Sequence, residues 1–118
     1  GKLYYRQDRV KKPVTNLDTK IIKPSLGWCN DPSHKNYNKE IKIIKKIKHE
    51  KLYRKDHKYN YLIVINYNNK KIIPNKGSAI FIHLTKNFKP TAGCVAIQEK
   101  DFLILLKLIN KKTQIKIY

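Results

Sequence analysis

Y-N-Y-L-I-V-I-N-Y, residues 59–67, is a run of aromatic and β-branched side chains. Such side chains suit a pleated, buried surface and lose rotamer freedom in a helix. Asn68 and Asn69 follow, and asparagine accepts the backbone angles that end a strand. The stretch is the clearest strand in the chain, and its neighbours extend the pattern. Downstream, Ile72 and Ile73 lead into Pro74-Asn75-Lys76-Gly77, a turn, and residues 78–84 (S-A-I-F-I-H-L) read as a buried strand. Helical period enters at Gln98-Glu99-Lys100-Asp101, whose carboxylates suit a helix N-terminus. Phe102, Leu105, Leu106 and Ile109 then share one helical face. Residues 113–118 alternate apolar and polar and are expected to close the chain as a strand.

Upstream, residues 1–24 read as short strands broken by Pro13, Asn16 and Pro24. Residues 26–38 are dense in Gly, Asn, Asp, Pro and Ser, which predicts a long ordered loop of the kind that binds ligands. In it, Trp28 and Tyr37 fit the edge of the core and a substrate contact equally well. Residues 41–48 mix periods two and three to four and are assigned to neither class. Residues 49–56 are polar enough for one or two helical turns over the sheet. The expectation is a single domain, 1–118, mostly β with one main helix.

A chain of 118 residues buries about two-thirds of its unfolded surface and forms one core. No apolar run approaches the length of a membrane-spanning helix. No signal peptide opens the chain, so any targeting information is expected upstream. The formal charge is +19, but of 27 basic residues 24 are Lys and only three are Arg (Arg6, Arg9 and Arg54). Arginine is the residue that reads phosphate and guanine edges in a fork, so this balance argues against sequence-specific nucleic-acid binding. Lys, Ile and Asn make up 52 of the 118 residues, the mark of drift toward AT-rich codons. The surface still attracts anionic polymers in general, cell-wall polymers as readily as DNA. Cys29 and His34 give one C-x4-H pair and no second pair at ligand spacing, so no metal is expected. No cofactor motif is present.

The chemistry concentrates in K-P-T-A-G-C-V-A-I-Q-E-K-D-F, residues 89–102. Cys94 sits a few residues ahead of a helix N-terminus, whose partial positive charge favours thiolate. Gly93 before it allows close substrate approach. A tight turn through Thr91, Ala92, Gly93 and Cys94 would aim successive N–H groups at one point, as an oxyanion hole requires. His83, eleven residues upstream, is the candidate base for a Cys–His acyl-transfer pair. The bland alternative is that Cys94 is a small buried hydrophobe.

The run H-L-T-K-N-F-K-P-T-A-G-C-V-A, residues 83–96, resembles the active-site signature of the L,D-transpeptidase (YkuD-type) catalytic domain. That signature is a His, then a spacer, then Ser/Thr-x-Gly-Cys and an aliphatic residue. G-W-C-N-D-P (27–32) with Tyr37-Asn38, and H-E-K-L-Y-R-K-D-H-K-Y-N (49–60), fit one branch of that family. The resemblance implies a β-sheet sandwich and an exported enzyme acting on peptidoglycan stem peptides in the periplasm or cell envelope. It assigns Cys94 as nucleophile, His83 as base, and Gly93, Ala92 and Thr91 to the oxyanion hole and its flank. Trp28, Asp31, Tyr37, Arg54 and Lys86 are candidate substrate contacts. The family's preceding strands, ending in a T-P-x-G motif, are expected upstream of this chain. The sequence departs from the pattern twice, with Leu84 where many members have Gly and Ala96 where many have Arg. Arg54, Lys86 or an N-terminal arginine is the expected replacement for that charge. Transfer of the acyl group to an amine makes a transpeptidase, and transfer to water an L,D-carboxypeptidase. A non-catalytic basic module that holds anionic polymer is the reading from another class.

Overall fold

A computed structural model of the chain describes residues 2–44, 46–65, 80–85, 95–110, 112 and 113. Eight short strands and one helix occur among them: β1 Leu3–Tyr5, β2 Thr19–Ile21, β3 Leu26–Cys29, β4 Glu40–Lys42, β5 His49–Lys51, β6 Tyr61–Val64, β7 Phe81–Leu84, β8 Val95–Ile97 and α1 Glu99–Leu108. The expected mostly β architecture with one helix is the one observed. The strands form a five-stranded sheet in the order β2-β1-β6-β7-β8 and a three-stranded sheet in the order β4-β3-β5.

The large sheet is buried on both faces, which explains its continuous apolar runs. Leu3, Tyr5, Tyr61, Ile63, Ile82 and Leu84 point to one face, where they pack with Phe102 and Leu106 of α1. Alternation sends Tyr4, Leu62 and Phe81 to the other face, where they meet Trp28, Leu52 and Tyr59. The register follows from this pattern: in antiparallel β6–β7, Leu62 stands opposite His83 and Ile63 opposite Ile82. A one-residue slip would exchange the two faces.

Several expectations are corrected. Of the strand expected at 59–67, Tyr61–Val64 is strand, Tyr59 and Asn60 turn into it with the Asn60 N–H on the His57 carbonyl at 3.0 Å, and residues 66 and 67 lie outside the described residues. The loop expected at 26–38 begins with strand β3. Gly27 there answers close packing, not a turn, since a Cβ would meet Ile43 Cγ1 at 3.0 Å and the Glu50 carbonyl oxygen at 3.3 Å. Of residues 41–48, which the sequence left unassigned, Ile41 and Lys42 end β4 and the Ile47 N–H bonds the Ile44 carbonyl at 3.1 Å, with residue 45 outside the described residues. No helical turn forms over 49–56. Residues 49–51 are β5, paired to β3 with Trp28 opposite Glu50, and tertiary pairing here overrides local helix preference. The expected strand at 113–118 falls almost wholly outside the described residues.

The remaining loop of the small sheet, after Cys29, is well ordered. The Asn38 N–H bonds the Cys29 carbonyl at 2.8 Å and the Cys29 N–H bonds the Lys39 carbonyl at 2.9 Å, closing its neck. Asn38 holds φ of 59°, a conformation asparagine tolerates better than most residues. The two sheets are also tied at their edges by Glu40, which accepts from the Tyr4 hydroxyl at 3.0 Å and pairs with Lys20.

Candidate active site

β7 delivers His83 to the face of the large sheet that looks toward the small one. There the side chain is buried, at 1% exposure, at the end of an edge-to-face aromatic series. Tyr4 meets Trp28, Trp28 meets Phe81, Phe81 meets Tyr59, and Tyr59 meets the imidazole with ring centres 5.6 Å apart. The tautomer is set by one contact. His83 Nδ1 lies 2.9 Å from the Leu84 carbonyl oxygen, and a carbonyl can only accept, so Nδ1 carries the proton. Nε2 is left with its lone pair, the form a general base needs. Burial holds the imidazole below its ordinary pKa. The Leu84 bond opposes that shift, the charges of Lys58 and Arg54 add to it, and Asp56 opposes it. The ring is therefore neutral at neutral pH.

Residues 52–60 form the wall beside this histidine, and arginines fasten it. Arg6, 3% exposed, holds Asp8 through Nε at 2.8 Å and Nη2 at 2.7 Å, and gives Nη1 to the Arg54 carbonyl at 2.6 Å. Its guanidinium carbon sits 3.5 Å from the centre of the Tyr53 ring, close enough for cation–π attraction. Arg9 donates to the carbonyls of Asp56 at 2.5 Å and Lys55 at 2.8 Å. Three successive carbonyls are thus turned toward guanidinium groups and away from any helical ladder, the physical reason the expected turns do not form. Arg54 forks onto Asp56 at 3.0 and 2.7 Å and lies 5.3 Å from the Tyr59 ring centre. The far end of the wall is joined to the histidine strand by the Leu84 N–H, which donates to the Lys58 carbonyl at 3.0 Å. A cavity of about 400 Å³ opens at this junction, lined by His57, Asn60, Leu84, Thr85, Gln98 and Glu99.

The residues singled out in the sequence fare differently. His83 and Arg54 share one neighbourhood through Tyr59, although the Arg54 fork is occupied by Asp56. Trp28 and Tyr37 are buried, 7% and 5% exposed, and Trp28 Nε1 donates to Asn38 Oδ1 at 3.0 Å, so both serve the interior. The Asp31 carboxylate accepts the Ser33 N–H at 3.0 Å and its hydroxyl at 2.6 Å, contacts that shape its own loop. Cys29 is buried, and His34 Nδ1 accepts the Asn36 N–H at 3.0 Å. Thr91, Ala92, Gly93, Cys94 and Lys86 lie outside the described residues. Sequence reasoning missed the roles of Arg6, Arg9 and Tyr59. The available signal was the scarcity of arginine: all three in a lysine-rich chain converge on one loop.

β8 completes the geometry. It runs parallel to β7, with Val95 opposite Ile82 and Ala96 opposite His83, so the chain segment that begins at Val95 lies alongside the histidine. No helix among the described residues is long and apolar enough to cross a membrane. The family model described as YkuD, the L,D-transpeptidase catalytic domain, matches residues 3–117. No curated protein and no solved structure matches the chain.

Proposed function

The chain belongs to the L,D-transpeptidase catalytic-domain family, whose activity is on peptidoglycan, and from that premise we propose cysteine-dependent acyl transfer between stem peptides in the cell envelope. The observation that carries this reading is the Nε2 lone pair of His83 on the strand next to β8, whose first residue directly follows Cys94 in the chain. Cys94 is bonded directly to Val95, the first residue of that strand.

His83 Nε2 takes the proton from the Cys94 thiol, and the thiolate attacks the carbonyl at the L-centre of the third-position diamino acid of a stem peptide. In this reading backbone N–H groups of Gly93 and Cys94, with Thr91 and Ala92 beside them in the chain, hold the oxyanion. Collapse breaks the amide bond and forms the thioester, and the proton on His83 passes to the departing D-alanine amine. An amine of a second stem then attacks the thioester, gives up its proton through His83, and releases the thiolate. Water in place of that amine makes the same site a carboxypeptidase. The neutral, buried imidazole suits both halves, because it takes a proton in each and returns it.

The test is incubation of the protein with a tetrapeptide stem, with and without a second stem bearing a free amine. The expected result is D-alanine release with a cross-linked product, and tripeptide when the amine is absent. Tripeptide alone, even with amine in excess, assigns the carboxypeptidase branch. No D-alanine under either condition refutes acyl transfer.

A further inference from the structure

We propose that Glu50, on the small sheet, is a positioning residue for the base: it holds the Tyr59 hydroxyl and so fixes the ring that sets the direction of His83 Nε2. The inference rests on the acyl-transfer reading above and gives a role to two residues to which neither the sequence pattern nor the family match assigns one. A hydrogen bond at Nδ1 alone leaves an imidazole one freedom. The ring can swing about that contact, because the torsion that turns a histidine ring is broad. The Leu84 carbonyl therefore decides which nitrogen carries the proton, and a second contact must decide where the other nitrogen points.

Tyr59 is that contact. It is 3% exposed, and its ring stands against two residues of β7, Phe81 at 5.8 Å and His83 at 5.6 Å between ring centres. One residue separates those two in the strand, so alternation puts them on one face. At its other end the Tyr59 hydroxyl donates to Glu50 Oε1. Register explains why Glu50 is there. It stands directly opposite Trp28 in the β3–β5 pair, residues opposite each other share a face, and Trp28 packs on Phe81 of the large sheet. A half-buried carboxylate needs a hydrogen-bond donor or a counter-charge. Glu50 makes no ion pair among the described residues, and Arg54, which feels its charge, is forked onto Asp56. The small sheet, the Tyr59 ring and the base thus form one connected series. Without Glu50 the Tyr59 hydroxyl loses its acceptor in a buried place, and the imidazole loses its second support. Misplacing a reacting group by about 1 Å costs on the order of 10²-fold in rate.

The experiment compares wild type with Glu50→Ala, Glu50→Gln, Tyr59→Phe and the Glu50→Ala/Tyr59→Phe double variant. The readouts are D-alanine release from a tetrapeptide stem and NMR of the His83 ring, at a temperature where circular dichroism shows every variant folded. Glu50→Ala and Tyr59→Phe are each expected to lower kcat about 10- to 100-fold, with KM within about twofold of wild type. The double variant is expected to be no worse than either, since both changes remove the same hydrogen bond. Glu50→Gln keeps an acceptor without the charge and is expected to recover most of the loss. In the ligand-free protein, Glu50→Ala and Tyr59→Phe are expected to move the His83 ring-proton resonances, because the Tyr59 ring shifts against the imidazole, and Glu50→Gln to leave them near wild type. Wild-type kcat in Glu50→Ala or Tyr59→Phe, a loss confined to KM, or additive losses in the double variant overturns the proposal. So does a Glu50→Gln no better than Glu50→Ala, or a set of unmoved His83 resonances. Turnover separates the two readings. No D-alanine from wild type refutes acyl transfer, and the His83 resonances then support or overturn the link from Glu50 through Tyr59 by themselves. Acyl transfer by wild type with unmoved resonances leaves the enzyme reading and removes this one.

Discussion

Cys94→Ala is expected to lower acyl transfer from a stem peptide by at least about 10⁴-fold, with the unfolding midpoint left close to wild type. His83→Ala is expected to fall nearly as far. The double variant should then be no worse than either single one, because a nucleophile and its base act as a unit and their losses do not add. The His83 change carries a further signature. With Nδ1 given to the Leu84 carbonyl, only Nε2 can take a proton, so His83→Gln, which has no comparable base, should be as inactive as His83→Ala. Near-wild-type turnover by any of these variants would remove the assigned pair.

The largest expected effect on stability away from the chemistry belongs to Arg6→Ala. The guanidinium satisfies the Arg54 carbonyl, holds Asp8 with two bonds and covers the Tyr53 ring. Removing it leaves a carbonyl without its donor and a ring without its cation, a cost of about 2–4 kcal/mol. That is a large share of a total near 5–15 kcal/mol for a domain of ordinary stability. The wall beside His83 is then expected to loosen, so activity should fall even at temperatures where the variant stays folded. The same clamp sets an acid response. Arg6 holds the Asp8 carboxyl at about 2, and Arg54 holds the Asp56 carboxyl at about 2. Both values are depressed in the folded state, so this contribution is present above the ordinary carboxylate value and is lost as pH falls toward 2. Urea denaturation at neutral pH and again near pH 3 checks both points. Arg6→Ala should lose less between the two conditions than wild type does. An Arg6→Ala midpoint equal to wild type would show that the clamp contributes nothing.

Legibility in the sequence followed the range of the interactions concerned. Strand β6 and its partner β7 were readable because both faces are buried and a continuous β-branched and aromatic run has few other homes. The helix was readable from local period and first-turn acids, and Phe102 and Leu106 do face the core. Residues 49–51 were misread because what makes them a strand is β3, twenty or more residues away in the chain, whose Cys29 stands opposite His49. Gly27 was misread for a related reason: glycine marks both turns and close approaches, and only the neighbouring Ile43 tells them apart. His83 was legible as a candidate by type and spacing, yet its tautomer depends on a backbone carbonyl that has no sequence signature.

The central claim is that this domain forms an acyl-enzyme through Cys94. Intact-protein mass spectrometry after brief exposure to a tetrapeptide stem, without amine acceptor and quenched in acid, tests it most directly. The account predicts an added mass equal to the stem peptide less D-alanine, located on Cys94 by peptide mapping, released by hydroxylamine and absent from Cys94→Ala. An unmodified Cys94 while wild-type protein is releasing D-alanine, or the same adduct on Cys29, would contradict it.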